Sequence, residues 1–242
     1  MANIPRLYID FPLSTGQGGK LTRDQSHYLT RVMRREIFLG FHNGAEFECR
    51  LLDANTFMVG ANTGRADPSE NFTFYFAPIK KIEELIGNIV QMGAAVLQPV
   101  ITERTQAGRI KWDRMRKIII EAAEQSGRNS VPELCEPVKF ADVNWNGVVF
   151  GDERKAMLNA ECLMLNENNS ALSIENLALL IGPEGGFSVA EFAALDRAGA
   201  VGVGLGPRIL RAETAAVALS ATIAATLAAT LAADRPTKLT KS

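Results

Sequence analysis

From Phe72 onward, short apolar segments alternate with longer segments of helical periodicity, and this alternation limits the folds that the chain can adopt. The predicted strands are FTFYFAP, AAVLQPV, GVVFGDE, CLMLNE, LALLIGP and AVGVGL. Helices are predicted over residues 80–92 and 113–126, after a capping box at Ser188 and Glu191, and over the Ala-rich residues 214–233. Strands that alternate with helices indicate an α/β fold with a mostly parallel sheet. Ligands of such sheets bind at the carboxyl ends of the strands.

The first 70 residues have a different pattern. RLYIDFPL, GAEFECRLL and TFMVGANTG are short β-like runs separated by Gly, Asn and Asp, which indicates a small β-rich module. We therefore predict two domains, residues 1–70 and residues 71–242.

Charge is unevenly distributed along the 242 residues, although the formal net charge is only −1. Residues 1–36 carry six Lys or Arg against three acidic residues, and residues 80–128 carry nine against six. The total excludes a protein that coats nucleic acid by bulk charge. Two basic segments can still form one patch, which a selective RNA binder needs.

Cysteine and histidine content predicts a protein of a reducing compartment without a metal site. The chain has three widely spaced cysteines, no CxxC pair and only two histidines. MANIPRLYID lacks the apolar run of a signal peptide, so we expect a cytoplasmic protein. Residues 214–233 are long enough to span a bilayer, but they are mostly Ala and Thr. This composition favours a helix buried against a sheet or a second subunit.

Two Gly-Pro turns follow two of the predicted strands, in LLIGPEGGFSVAEF and VGLGPRILRAETAA. Gly182 and Gly206 permit a sharp turn after a strand, and Pro183 and Pro207 restrict φ. One such motif indicates only a tight strand–helix connection, whereas two in consecutive units favour a ligand site. The fingerprints of NAD and ATP sites do not fit, because Pro207 replaces the last Gly of GxGxxG and Leu21 follows GGK.

Three motifs in order, EAAEQSGRNSVPEL, IGPEGGFSVAE and LGPRILRAETA, closely resemble the ribosomal RNA small subunit methyltransferase E (RsmE) family. HYLTRVMR and LQPVITERTQ resemble further segments of that family, and the resemblance runs from about residue 5 to residue 233. Members belong to the SPOUT class and methylate N3 of a uridine in 16S ribosomal RNA.

The resemblance implies a PUA-like N-terminal β-barrel, a C-terminal SPOUT-type parallel sheet with a trefoil knot, and a homodimer with S-adenosylmethionine bound at the subunit boundary. The two Gly-Pro turns would be adjacent walls of one cofactor pocket. The cofactor-binding residues predicted on this basis are Leu180, Ile181, Gly182, Pro183, Glu184, Gly185, Gly186, Leu205, Gly206, Ile209, Leu210, Arg211 and Thr214.

Methyl transfer to uridine N3 requires removal of a weakly acidic proton and stabilisation of an anion. Arg211 could stabilise charge on a uracil carbonyl, and Glu184 or Glu213 could accept the proton if burial raises its pKa. The structural alternative is that Glu213 favours a helix N-terminus and Arg211 pairs with it.

RNA contacts are predicted for basic residues, with a solvated surface as the alternative for each. The predicted set is Arg6, His27, Arg31, Arg34, Arg104 and Arg128.

Two segments depart from the family pattern. EIFLGFHNGAEF, after VMRR, looks shortened or altered, and Asn88 and Gln91 stand where the family has Lys and Glu. Both departures leave the two Gly-Pro turns intact. The alternatives are a SPOUT enzyme for another rRNA or tRNA site, a non-catalytic RNA-binding protein of ribosome assembly, and an enzyme acting on a small nucleotide.

Overall fold

The computed structural model describes residues 4–67, 72–106, 110–155 and 177–233, with side chains up to residue 226. The chain forms two compact units. The N-terminal unit comprises Met1–Ser69 with Arg116–Pro132, and the C-terminal unit comprises Glu70–Met115 with Glu133–Ser242.

The N-terminal unit is built on a five-stranded sheet in the order β1-β3-β4-β5-β2. Its strands are β1 (Arg6–Tyr8), β2 (Gly18–Lys20), β3 (Ile37–His42), β4 (Ala45–Leu51) and β5 (Thr56–Asn62). The β1–β3 pair is parallel and the other pairs are antiparallel. Phe38, Phe57 and Cys49 lie in its core. Burial raises the pKa of the Cys49 thiol to about 11, so Cys49 behaves as a small apolar side chain.

The segment that departs from the family pattern forms a regular hairpin of β3 and β4. His42 pairs with Ala45, which leaves a two-residue loop. Asn43 and Gly44 both have positive φ, at 44° and 87°. Asn-Gly is the preferred pair for such a loop, because both positions require a backbone that Asn and Gly tolerate. The altered sequence is therefore compatible with continuous pairing of Ile37–His42 with Ala45–Arg50.

A short helix precedes this hairpin and changes its winding. Helix α1 (Arg23–His27) starts at a capping box formed by Thr22 and Gln25. It continues as one π-helical turn, Tyr28–Met33, which ends at Arg34 in the left-handed region with φ 52°. Of the predicted RNA-binding residues, His27 therefore ends α1, Arg31 lies in the π-helical turn and Arg34 follows it.

The end of helix α3 (Trp112–Ser126) and the loop after it belong to the N-terminal unit. Asn129 is fully buried there; its backbone N–H donates to Asp67 and its side-chain amide donates to the Arg65 carbonyl. Arg6 donates to Glu46 over 2.8 Å and to the Asn129 side chain over 2.7 Å. These buried hydrogen bonds tie two segments together that are far apart in the sequence.

The C-terminal unit contains a sheet of seven strands, and all its recorded strand pairs are parallel. The order is β12-β10-β11-β6-β7-β8, with β9 also pairing with β7. The strands are β6 (Phe72–Phe76), β7 (Ala94–Ile101), β8 (Glu133–Leu134), β9 (Val138–Lys139), β10 (Val149–Gly151), β11 (Ala178–Ile181) and β12 (Val201–Val203). The predicted α/β fold with a parallel sheet is confirmed. The predicted strand CLMLNE lies outside the described residues.

Three further helices belong to the C-terminal unit: α2 (Ile82–Gln91), α4 (Val189–Ala198) and α5 (Ala212–Ala233). The capping box predicted at Ser188 and Glu191 is confirmed, with both of its hydrogen bonds present. Phe150, Leu180, Phe187 and Leu195 pack in the core beside it. Within the described residues, no helix combines the length and the apolar character that a membrane span requires.

Candidate active site

A cavity of about 620 Å³ lies at the carboxyl ends of four neighbouring strands, β6, β11, β10 and β12. Each strand contributes the loop that follows it, and the start of α5 closes one side. Pro183 and Pro207, the prolines of the two Gly-Pro turns, both line this cavity. The position agrees with the general rule that parallel sheets bind ligands at this edge.

The loop after β11 is a tight turn in which the Gly186 N–H donates to the Pro183 carbonyl over 2.9 Å. Gly186 has φ +68°, which favours glycine, and a Cβ at this position would displace the exposed Glu153 carboxylate. The turn is braced from two sides. Glu184 Oε1 accepts from the Lys80 N–H at 3.0 Å, and Arg104 Nη1 donates to the Gly185 carbonyl at 2.9 Å. The backbone of this turn is therefore held rigidly against the cavity.

The loop after β12 depends on Gly206 for its backbone conformation. Gly206 has φ +111°, and a Cβ there would meet no atom within 4 Å. The glycine is thus required by the backbone angle and not by crowding. Downstream of it, Leu205, Ile209 and Leu210 give the cavity an apolar side, and Arg211 lies exposed at its edge.

The loop after β10 forms a third wall that the sequence analysis missed. Gly151, Asp152, Glu153 and Lys155 all line the cavity. The signal was present, because GVVFGDE is a predicted strand that ends in Gly and two carboxylates, at the same sheet edge as the Gly-Pro turns.

Arg154 fixes this third loop in place. Its guanidinium donates to both carboxylate oxygens of buried Asp152, at 2.9 and 2.8 Å, and to both of Asp196, each at 3.0 Å. It also lies 4.1 Å from the centre of the Phe192 ring. Hydrogen bonds to Asp152 and Asp196 raise the pKa of Arg154, so its guanidinium stays charged. In addition, Lys155 Nζ donates to the Gly202 carbonyl over 2.8 Å.

Glu213, in the first turn of α5, pairs with a lysine and not with Arg211 as the sequence had suggested. Lys81 Nζ lies 3.4 Å from Glu213 Oε1 and 2.8 Å from Glu84 Oε2. The hydrogen bond to Glu84 and, to a smaller extent, the hydrogen bond to Glu213 raise the pKa of the Lys81 ammonium. Glu213 is buried, and Lys81 is half-exposed on the cavity wall. The positively charged Lys81 ammonium therefore lies beside Glu213, one of the predicted catalytic carboxylates.

Most of the predicted cofactor-binding residues lie on this one cavity. Those on its wall are Ile181, Gly182, Pro183, Glu184, Gly186, Leu205, Gly206, Ile209, Leu210 and Arg211. The other three have different positions. Leu180 is buried in the core of the unit, Gly185 is exposed and bonded to Arg104, and Thr214 is exposed on α5.

The residues predicted to bind RNA have diverse environments. His27, Arg31 and Arg34 are exposed on α1 and the π-helical turn, whereas Arg104 is exposed but bonded to the first turn. Arg6 is largely covered, and its guanidinium donates to Glu46, to Asn129 and to three backbone carbonyls.

Arg128 is half-buried and donates to Ser130 over 3.3 Å. Burial lowers the pKa of its guanidinium, with the Asp67 carboxylate acting in the opposite direction.

The two departures in α2 do not reach the cavity wall. Asn88 is half-buried, and Gln91 is exposed and donates to the Gly87 carbonyl within its own helix.

In the described part of the chain, no group of three or more His, Cys, Asp or Glu side chains is arranged to hold a metal ion.

Comparison with known proteins relates the chain to RNA methyltransferases. Residues 67–224 match the family model of the RNA methyltransferase domain. Proteins named ribosomal RNA small subunit methyltransferase E are 32% identical in Synechocystis, over 84% of this chain and 71% of the relative, and 29% identical in Bacillus subtilis, over 83% and 88%. The crystal structure of ribosomal RNA small subunit methyltransferase E from Neisseria gonorrhoeae, bound to S-adenosyl methionine, superposes with a TM-score of 0.79 at 26% identity. The superposition covers 92% of this chain and 98% of that one. By sequence and by fold, the chain belongs to the ribosomal RNA small subunit methyltransferase E family.

Proposed function

We propose that the protein transfers a methyl group from S-adenosylmethionine to N3 of a uridine in 16S ribosomal RNA. The observation that carries this proposal is the single cavity lined by both Gly-Pro turns at the carboxyl ends of four parallel strands. Membership of the family supports an rRNA methyltransferase that uses S-adenosylmethionine. The choice of uridine N3 rests on the resemblance of the three sequence motifs to the family.

The cavity suits the proposed cofactor in volume and in chemistry. Its volume lies in the range of about 300–1,000 Å³ that is usual for small-molecule sites. Gly182, Gly186 and Gly206 carry no side chain, so a ligand can approach the backbone of both turns closely, and backbone polar groups can read the edge of an adenine. Ile181, Leu205 and Leu210 supply apolar surface for its faces. When bound, S-adenosylmethionine supplies a methyl carbon that is activated by its sulfonium.

The residues of the chain have to hold uridine N3 in line with that methyl carbon and accept the N3 proton. Positioning alone can contribute about 7–11 kcal/mol to such a reaction. We assign Arg211, exposed at the cavity edge, to the negative charge that develops on a uracil carbonyl. Glu213 or Glu184 accepts the proton. Lys81 Nζ lies 3.4 Å from Glu213 Oε1 and orients that carboxylate at the start of α5.

We further propose the finer architecture that the family resemblance implies. Residues 1–70 would form a PUA-like barrel that contacts RNA, and residues 71–242 would form the SPOUT methyltransferase domain with a trefoil knot. The five-stranded sheet of the N-terminal unit and the exposed His27, Arg31 and Arg34 support an RNA-binding role.

We also propose that the protein forms a homodimer. Very exposed Val189 and Ile209, both beside the turns of the site, are apolar surfaces that a second copy would cover. Since its substrate is rRNA, we place the enzyme in the cytoplasm.

Calorimetry with S-adenosylmethionine tests the cofactor assignment and separates an enzyme from a non-catalytic assembly protein. We expect saturable binding to the whole chain, and no detectable binding at millimolar ligand would contradict the proposal.

The role of Arg211 is tested by substitution. Arg211→Ala should lower the rate of methyl transfer by at least about 10²-fold, while the Kd of the cofactor changes much less. Arg197→Ala, an exposed arginine of α4 away from the cavity wall, is the matched control.

A further inference from the structure

A second cavity, of about 550 Å³, is present in the N-terminal unit, and the proposed methyl transfer does not use it. The segment leading into β1, helix α1 with its π-helical turn, and the last turns of α3 form its wall. All three segments belong to the same compact unit. The motif EAAEQSG, which the methyltransferase site leaves unexplained, supplies Glu121 and Glu124 to this wall. We call it the N-terminal cavity.

One side of the N-terminal cavity is apolar and aromatic. Tyr28 and Ile4 line it and are 38% and 44% exposed, and Met33 lies beside them. Together these side chains give the cavity an exposed apolar surface that includes one aromatic ring. Such rings are the surfaces on which proteins stack unpaired RNA bases.

The polar side of the N-terminal cavity presents hydrogen-bond acceptors. Glu124 accepts the Tyr8 N–H through Oε1 at 2.9 Å, which leaves further acceptor capacity on its carboxylate. Glu121 and Asp24 add two more carboxyl groups. Arg6 is the one cation among the residues that line this cavity, and its guanidinium already donates to five protein acceptors. The lining therefore disfavours phosphate and favours a ligand that donates several N–H groups.

We propose that the N-terminal cavity binds an unpaired guanine base of the RNA substrate, stacked on Tyr28 and hydrogen-bonded to Glu124. This inference rests on the proposed function. Guanine presents N1–H and N2–H side by side, which match the two oxygens of a carboxylate, whereas uracil N3–H lies between two carbonyl oxygens that the carboxylates would repel. Phosphates adjacent to the base would contact exposed Arg31 and Arg34, which lie in or next to the helical segment that carries Tyr28.

The ionisation of Glu124 makes guanine binding dependent on pH. Burial raises the pKa of Glu124 to about 7; the Tyr8 N–H and the Arg6 charge act against this increase, and the Glu121 charge adds to it. Asp24 is the third acidic residue that lines the cavity, beside Glu121 and Glu124. Guanine requires the ionised, acceptor form of Glu124, so affinity should rise as the pH increases from about 6 to about 8.

The test is fluorescence anisotropy of the full-length protein with labelled single-stranded oligouridines that carry one guanosine, inosine, adenosine or uridine at the centre. We expect guanosine to bind about tenfold more tightly than uridine. Inosine, which lacks the N2 amino group, should fall between them. Glu124→Gln and Tyr28→Ala should each abolish the preference, whereas Tyr28→Phe and Val32→Ala, an exposed neighbour on the π-helical turn, should keep it. Thermal unfolding checks that each variant is folded.

Equal affinity for the four oligonucleotides would overturn the guanine proposal, as would a preference that survives both Glu124→Gln and Tyr28→Ala. Cofactor calorimetry and rRNA methylation on the same preparations separate this failure from failure of the proposed function. If guanosine is not preferred but methyl transfer is normal, only the guanine proposal is rejected. If guanosine is preferred but no methyl transfer occurs, the proposed function is rejected and the base site is supported.

Discussion

At the scale of single residues, the candidate site depends on glycines whose surroundings differ. Gly186 and Gly206 both have a positive φ, but the Glu153 carboxylate lies where a Cβ of Gly186 would be, whereas the space beside Gly206 is open. The sequence identifies both glycines as parts of turns, but this difference is visible only in three dimensions. Likewise, the ion pair of Glu213 with Lys81 was not predictable, since the two residues are distant in the sequence and Arg211 was the nearer candidate.

Replacing Gly206 by alanine should impair cofactor binding without any steric clash. An alanine at φ +111° is strained, by about 1–3 kcal/mol, and relief of that strain would displace the second turn. We expect the free energy of unfolding to fall by this amount and the cofactor Kd to rise at least tenfold, as measured by urea denaturation and calorimetry.

Gly16→Ala is the matched control for Gly206→Ala. Gly16 has φ +83°, has equally open space where a Cβ would lie, and belongs to the other unit. It should lose stability but keep cofactor affinity; an equal loss of affinity in both variants would contradict this role for Gly206.

Glu124 should make the N-terminal unit less stable at high pH. Its pKa is about 7 in the folded protein against an ordinary 4.5, so the fold favours the protonated form. The corresponding stability is fully present below about pH 4.5 and is lost as the pH rises to about 7. Since the side chain is partly solvated, we expect a loss of about 1–3 kcal/mol.

The pH dependence of Glu124 is isolated by comparing wild type with Glu124→Gln in urea denaturation at about pH 5 and about pH 8, on either side of the folded-state pKa. The difference in unfolding free energy between the two proteins should change in favour of Glu124→Gln at the higher pH. If the difference is the same at both pH values, the carboxyl group does not titrate as described.

At the scale of secondary-structure elements, alternation of apolar and helical periods predicted the parallel sheet and most of its strands. The patterns are local, and strands and helices follow local patterns closely. The Asn43-Gly44 hairpin carried an equally local signal that the comparison with the family pattern obscured. The π-helical turn Tyr28–Met33, which buries Leu29 and ends at the left-handed residue Arg34, had no such signal.

The capping box of α4 should contribute to stability beyond the helix that it starts. Glu191 accepts the Ser188 N–H through Oε2 and the Glu103 N–H through Oε1, each at 2.8 Å. Ser188→Ala removes one cap and should cost about 1 kcal/mol, whereas Glu191→Ala leaves two N–H groups without their acceptor and should cost about 2–4 kcal/mol. Urea denaturation measures both values, and equal costs would show that the link to Glu103 contributes nothing.

At the scale of the whole molecule, the division of the chain is less simple than the sequence suggests. Residues 116–132 belong to the N-terminal unit although they follow the first strands of the C-terminal sheet. Only non-local contacts, such as the hydrogen bonds of Asn129 to Asp67 and Arg65, define this membership, and sequence periodicity contains no information about them. Deletion of residues 1–70 would strip these contacts from residues 116–132, so point substitutions are the better test of RNA binding.

The double substitution Arg31→Gln and Arg34→Gln should weaken RNA binding but not cofactor binding. Both side chains are exposed, and removing one arginine–phosphate interaction should reduce the slope of log affinity against log salt by about 0.7. We therefore expect the slope for a single-stranded rRNA fragment to fall by about 1.4 in the double variant. Arg23→Gln with Arg197→Gln, two exposed arginines outside the predicted RNA-binding set, serves as the control of equal charge change. An unchanged slope would exclude Arg31 and Arg34 from the RNA interface.

The most direct measurement is nucleoside mass spectrometry of small-subunit rRNA after incubation with the purified protein and isotopically labelled S-adenosylmethionine. The proposed function predicts labelled N3-methyluridine at one position of the 16S RNA. Label on another base, or no label in RNA from a folded preparation that binds the cofactor, would contradict it.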